Sequence, residues 1–170
     1  MSPSPDVRLA DVDERMLELL LRLARLDAEP DEVTPLLGNG TGWNAERSDW
    51  FRTYHRAAAA GLDGEARQKS WAILAEGSPA GSIRLKRTAR HDTAETGIWL
   101  GRSFRGRGVG TAALNLVLEE ATRAGLRHVM AHTTAGNAGA RRILTAAGAQ
   151  LTHHDGGAVT AAVVLPTGSH

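Results

Sequence analysis

Between Trp99 and Thr111 the chain reads Trp-Leu-Gly-Arg-Ser-Phe-Arg-Gly-Arg-Gly-Val-Gly-Thr, with glycines at 106, 108 and 110. A strand pattern ends there, and a helical stretch rich in Ala, Leu and Glu runs from Thr111 to Ala124. No other segment constrains the fold as strongly, because a strand must pass to a helix through a turn of almost bare backbone. Glycine adopts positive φ without a Cβ clash and lets the main chain approach a ligand. The first amides of the helix have no internal partners and sit at the positive end of its dipole. Arg105 and Arg107 add full charges beside them. The segment therefore suits a phosphate or pyrophosphate. The competing reading is a tight strand–helix turn with no ligand. A Walker loop would need a Gly-Lys-Ser/Thr ending, and no lysine occurs here. A dinucleotide fingerprint would need a third glycine where Thr111 stands.

The rest of the chain supplies a mixed α/β setting for this turn. Val7–Ala10 alternates as a short strand, and Asp11 and Asp13 offer a cap to an amphipathic helix over Glu14–Asp27. Residues 28–45 read as loop or broken helix. A second helix is expected over Ala45–Ala60, with Trp50 and Tyr54 on one face. Two strands, Ser70–Ala75 and Ser82–Arg87, flank a hairpin turn expected over Glu76–Gly81 around Ser78-Pro79, and Ala94–Gly101 is the strand before the glycines. His128–His132 is a strand, Asn137–Ala147 a helix ended by Gly148, and Gln150–His154 and Ala158–Leu165 form a closing hairpin. With no repeat and no long linker, residues 1–170 are expected to form one α/β domain.

Bulk properties exclude several classes of function. Twenty basic residues nearly cancel 19 acidic ones, for a net charge of +1, and no basic block is present. Neither favours a nucleic-acid partner. The absence of cysteine excludes disulfides and thiolate metal sites. The greasiest run, Leu17–Leu26, carries Arg22 and Arg25 and is too short to span a bilayer. The N-terminus lacks a signal-peptide pattern, so a soluble cytoplasmic protein with no membrane partner is expected. Arginine outnumbers lysine 18 to 2, which suggests a GC-rich bacterial genome.

Arg105-x-x-Gly108-x-Gly110, in its strand–turn–helix context, resembles the coenzyme A signature of the GNAT N-acetyltransferase family. Glu95-Thr-Gly-Ile-Trp-Leu100 resembles that family's preceding strand. Asn137 with Leu144 and Gly148 resembles its later helix, and Val7-Arg-Leu-Ala-Asp-Val its first strand. The similarity is concentrated in residues 94–149, and its flavour is that of the branch containing the RimJ and RimL ribosomal-protein acetyltransferases. The resemblance implies a single GNAT-like mixed sheet with helices on both faces. It also implies acetyl-CoA as co-substrate. The backbone of Arg105, Gly106, Arg107, Gly108, Val109, Gly110 and Thr111 would hold the pyrophosphate. Leu100 would offer its backbone to the pantetheine arm and its N–H to the thioester carbonyl, and Asn137 would contact the cofactor.

Acetyl transfer to an amine needs a base for the ammonium proton, a donor for the developing oxyanion and a leaving thiolate. The family often carries a glutamate on the strand before the turn, which makes Glu95 the candidate base; a structural hydrogen bond is its alternative role. The usual thiolate-protonating tyrosine or serine of the later helix is replaced by Leu144 or Ala140. Tyr54, Ser103 and the His153-His154-Asp155 cluster are substitutes, with Tyr54 taken as the catalytic candidate. Trp50 and Tyr54 either pack in the core or line the acceptor pocket, where Asp31, Glu46 and Asp49 would favour a cation. His128 and His132 share a strand face but lack further ligands, so no metal is expected, and His132 is kept as a substrate contact. The expected function is transfer of an acetyl group to a small-molecule amine, an antibiotic or a metabolite. A protein N-terminus is the alternative acceptor, an acyl-CoA-binding protein with little transferase activity the alternative class, and a homodimer is compatible with both.

Overall fold

The computed structural model describes residues 5–35, 37–38 and 42–166. The expected one-domain span of 1–170 and the segment Thr167–His170 therefore extend beyond the described residues. Strand β1 (Val7–Asp11) is followed by helices α1 (Glu14–Asp27), α2 (Pro30–Val33) and α3 (Ala45–Ala58). Next come β2 (Gln68–Ala75), β3 (Ser78–Arg87), β4 (Thr93–Leu100), α4 (Val109–Arg123) and β5 (His128–Thr134). The chain closes with α5 (Ala138–Ala146), β6 (Gln150–His153) and β7 (Ala158–Val164). All seven strands form one sheet in the order β1-β2-β3-β4-β5-β7-β6. Among the described residues no helix is long and apolar enough to cross a membrane.

Alternation along the strands sorts the core into two layers. Ile73, Ile83 and Leu85 face α4, whose Val109, Ala113, Leu114, Val117 and Ala121 are buried against them together with Leu144 of α5. On the other face, Ala72 meets Leu17, Leu20, Leu21 and Ala24 of α1 and Phe51 of α3. The expected mixed sheet with helices on both faces is what forms. Asp13 caps α1 by accepting from the Met16 N–H at 2.8 Å, and Asn44 caps α3 through the Arg47 N–H at 2.8 Å.

Two expected boundaries are corrected. The β2–β3 turn is Glu76-Gly77, both at positive φ (50° and 82°), the backbone of a two-residue hairpin whose twist suits the strands. Ser78 and Pro79 already belong to β3, where a bulge opposite Ile73 and Leu74 accommodates the proline. Helix α4 starts at Val109 rather than Thr111, because Gly108 at φ 82° is its N-cap. A single 3-10 turn, Arg102–Phe104, joins β4 to the glycines.

One departure from regularity creates the site. β4 and β5 run parallel but pair only over Thr93–Glu95 and His128–Met130. β4 continues to Leu100 and β5 to Thr134, so the strands part beyond Glu95 and leave a cleft headed by the N-terminus of α4.

Candidate active site

No backbone acceptor among the described residues takes the N–H of any residue from Gly106 to Thr111; the first helical bond is Ala112 N–H to Gly108 O. This row of free donors lies at the positive end of α4 and makes a nest for an anion. It borders a cavity of about 680 Å³ walled by Leu100, Arg105, Gly106, Gly108, Gly110 and Thr111 on one side. Asn137, Gly139, Ala140, Arg142 and Ile143 wall the other side. Arg142 is a cation that sequence reasoning missed. Free amides, a helix N-terminus and an added guanidinium are a donor set that fits a pyrophosphate.

The sequence-derived candidates for this cavity divide by geometry. Val109 lends only its N–H, since its side chain is 2% exposed in the core. Arg107 borders a different hollow with Pro5, Ala75 and Glu76. Asn137 caps α5, its Oδ1 accepting from the Ala140 N–H at 3.0 Å, so its amide nitrogen is the part left for a ligand. Arg105 is not a free charge. Its Nε and Nη2 donate to the Leu100 carbonyl at 3.1 and 2.9 Å, and Nη2 also pairs with Glu32. The hydrogen bond from Gly101 N–H to Ala80 O, with the β3–β4 register, leaves the polar groups of Ile98 and Leu100 on the edge of β4 that faces away from β3 and into the cleft. Arg105 thus fixes the strand end that presents the Leu100 N–H.

A second, smaller cavity of about 260 Å³ adjoins the first, and Glu32, Ile98 and Trp99 line both. Its other walls include Trp50, Tyr54, His55, Ser82, Arg84 and Gly97. Trp50 and Tyr54 stack at 5.2 Å, one turn apart on α3, so the expected shared face is also a cavity wall. Burial pushes the Tyr54 phenol up, against a smaller opposing pull from Arg84, which keeps the hydroxyl protonated at neutral pH. Asp31, Glu46 and Asp49 do not line this cavity. Asp31 pairs with the buried Arg47 at 2.9 Å and Asp49 lies 3.6 Å from Arg52. The carboxylate in the wall is Glu32, carried on the short helix α2 that the sequence pattern left as broken helix.

Glu95 and His132 face each other where β4 and β5 separate, His132 Nε2 lying 3.4 Å from Glu95 Oε1. The sequence placed each near the cleft but did not pair them. Neither lines the two cavities above. Ser103 is held by its N–H to Asp27 at 3.0 Å, and His154 bonds Thr160 at 2.9 Å on the far hairpin. Neither Ser103 nor the His153-His154-Asp155 cluster borders either cavity, which leaves Tyr54 as the cavity-lining member of that set. No group of three or more metal-ligating side chains forms among the described residues.

His55 gives this wall a measurable pH signature. Its ring is 2% exposed and its Nδ1 lies 2.8 Å from Ser70 Oγ. Burial pushes its pKa from 6.5 down to about 4. The unfolded chain takes up this proton near 6.5, the folded protein only near 4, so stability is full above 6.5 and falls as pH drops through that window. The whole loss is on the order of 3 kcal/mol. In urea unfolding, His55→Gln should flatten the pH slope between 4 and 6.5. An unchanged slope would assign the dependence to other groups.

The sheet, the cleft and the donor-lined turn define an α/β protein with an anion site at the mouth of a parted strand pair. A family model described as an acetyltransferase (GNAT) domain matches residues 13–150, and the chain belongs to this family. It is accordingly an acetyl-CoA-dependent N-acetyltransferase. Solved structures of the same fold include RimL, a ribosomal L7/L12 alpha-N-protein acetyltransferase, in complex with coenzyme A (TM-score 0.72, 16% identity, 94% of each chain covered). The GNAT domain of S. lividans PAT is similar at TM-score 0.69 and 20% identity, over 95% of this chain and 90% of that one. Apo FdhC, a nucleotide-linked sugar GNAT, is similar at TM-score 0.69 and 18% identity, over 96% and 90%. No curated protein matches this sequence.

Proposed function

We propose that the acetyl acceptor is a small-molecule amine held in the smaller cavity, against Trp50 and Tyr54. The observation that carries this reading is the meeting of two cavities across Ile98, Trp99 and Glu32, one rich in free backbone donors and one walled by aromatic rings. At about 260 Å³ the second lies near the lower end of small-ligand sites, roughly 300 Å³. That size suits a compact metabolite better than a large antibiotic or a folded protein surface.

When bound, acetyl-CoA supplies an activated acyl carbon. The backbone of Gly106–Thr111, with Arg142 and Asn137, would hold its polar half in place. Glu95, paired with His132 outside both cavities, takes the proton from the incoming ammonium through intervening water, so that nitrogen can attack. The Leu100 N–H, on the free edge of β4, would donate to the oxygen on which negative charge develops. Tyr54, kept protonated by burial, is the donor for the departing thiolate.

Two measurements test this. Glu95→Gln should lower kcat by about 10²- to 10⁴-fold and remove the rise of rate with pH that a base produces. Unchanged turnover and an unchanged profile would take the base role from Glu95. Release of free coenzyme A thiol should be followed with a panel of small amines and with short peptides bearing free N-termini. Turnover of the amines supports the proposal; turnover of peptides alone would transfer the assignment to a protein N-terminus.

A further inference from the structure

We propose that the acceptor is an amino acid whose carboxylate is held by Arg84. This deepens, and rests on, the reading of the smaller cavity as the acceptor site. Glu32 is the only carboxylate among the described residues that line this cavity, and Arg105 already neutralises it. Arg84 is the only guanidinium in the same wall, and it makes no salt bridge among the described residues. Its Nη1 is buried without a hydrogen-bond partner. A buried guanidinium N–H left unpaired is costly, and such groups in folded proteins nearly always have a partner. The uncompensated charge of this cavity is therefore positive.

The strand register places that charge deliberately close to the chemistry. Arg84 pairs with Gly97 across β3 and β4, and a Cβ at position 97 would lie 3.1 Å from Arg84 Nε and 3.2 Å from Nη2. The missing side chain at 97 is what lets the guanidinium lie flat over β4. A planar fork of N–H donors matches a carboxylate better than it matches any other compact anion of a metabolite. Gly97 and Trp99 are two residues apart on β4, about 7 Å. Trp99 belongs to the wall shared with the cofactor cavity. That distance is covered by the hydrogen bond from Arg84 to the carboxylate, roughly 3 Å, together with the two bonds that separate carboxylate carbon and amine in an α-amino acid or the three in a β-amino acid. Trp50 and Trp99 then offer apolar surface to the amino acid's own side chain.

The test compares leucine with leucinamide, which differ at the carboxylate. Initial rates with acetyl-CoA should favour leucine by about 10- to 100-fold in kcat/KM, through KM, for native protein. Arg84→Gln should bring the ratio close to one, and Arg84→Lys should retain part of it. A native ratio near one, or a ratio that survives Arg84→Gln, would overturn the proposal. Calorimetric binding of both compounds to protein saturated with coenzyme A reads the same ratio without turnover. Selective leucine binding with no thiol released would leave the Arg84 assignment standing and sink the acceptor-site reading instead. Acetyl-CoA affinity reports whether each variant is folded; if Arg84→Gln is not, the native ratio and Arg84→Lys decide.

Discussion

Gly81→Ala is expected to destabilise the protein by at least about 3 kcal/mol, the range reserved for severe steric conflict. A Cβ at position 81 would stand 2.0 Å from the Trp99 carbonyl oxygen and 2.9 Å from Leu100 Cα. Both are backbone atoms of β4, so no rotamer change relieves the overlap. Gly81 pairs with Leu100 on one side and with Ile73, beside the bulge, on the other. Relief would require β3 and β4 to separate where Gly101 N–H meets Ala80 O at 2.9 Å. Urea denaturation at neutral pH measures the effect. A loss below about 1 kcal/mol, within the ordinary range for point substitutions, would mean that β4 can shift freely, and the fixed position of Leu100 would be wrong.

Gly110→Trp is expected to weaken acetyl-CoA binding by more than about 100-fold, a change of roughly 3 kcal/mol in binding free energy. Position 110 lies in the first turn of α4, in the wall of the larger cavity. A Cβ there would begin 2.6 Å from Ile143 Cδ1 and 3.4 Å from Leu100 Cδ1, side chains that line the same cavity. An indole at 110 has to enter the space a cofactor would use or push α5 outward. Gly108 is the weaker target, because its Cβ would point toward Pro5, 3.9 Å away on the other side of the turn. Calorimetry on the native protein and the variant, with folding checked by circular dichroism, separates the outcomes. A folded variant with native affinity would move the cofactor away from this turn.

The parts of the fold written locally were legible in the sequence. Helix α1 occupies Glu14–Asp27 as its leucine spacing and the cap at Asp13 predict. The glycine turn between β4 and α4 stands where the spacing put it. The β2–β3 turn was drawn too long and centred too late, because Pro79 is a stronger turn signal than Glu76, a residue that seldom adopts positive φ. What could not be read was the set of contacts made by register and by distant segments. Arg84 meets Gly97 only through the β3–β4 ladder, and Glu32 meets Arg105 across 73 positions. Glycine inside the strand pattern at 97 was an available sign of a close approach, though it does not name the visitor. The separation of β4 from β5 has no residue signature at all. It arises where the pairing stops, and the site exists because of it.

The wall shared by the two cavities has a consequence for the order of events. Ile98, Trp99 and Glu32 touch both spaces, so an acceptor in the smaller cavity, as proposed, would stand beside the donor at one partition. A group can then cross directly from one occupant to the other within a single ternary complex. No residue has to be acetylated along the way, and a chain without cysteine offers no thiol to serve as that relay. Glu32 also pairs with Arg105, and Arg105 with the Leu100 carbonyl, so one chain of contacts joins the shared wall to the end of β4. Whatever coupling two occupants have through that chain is equal in both directions by thermodynamic linkage.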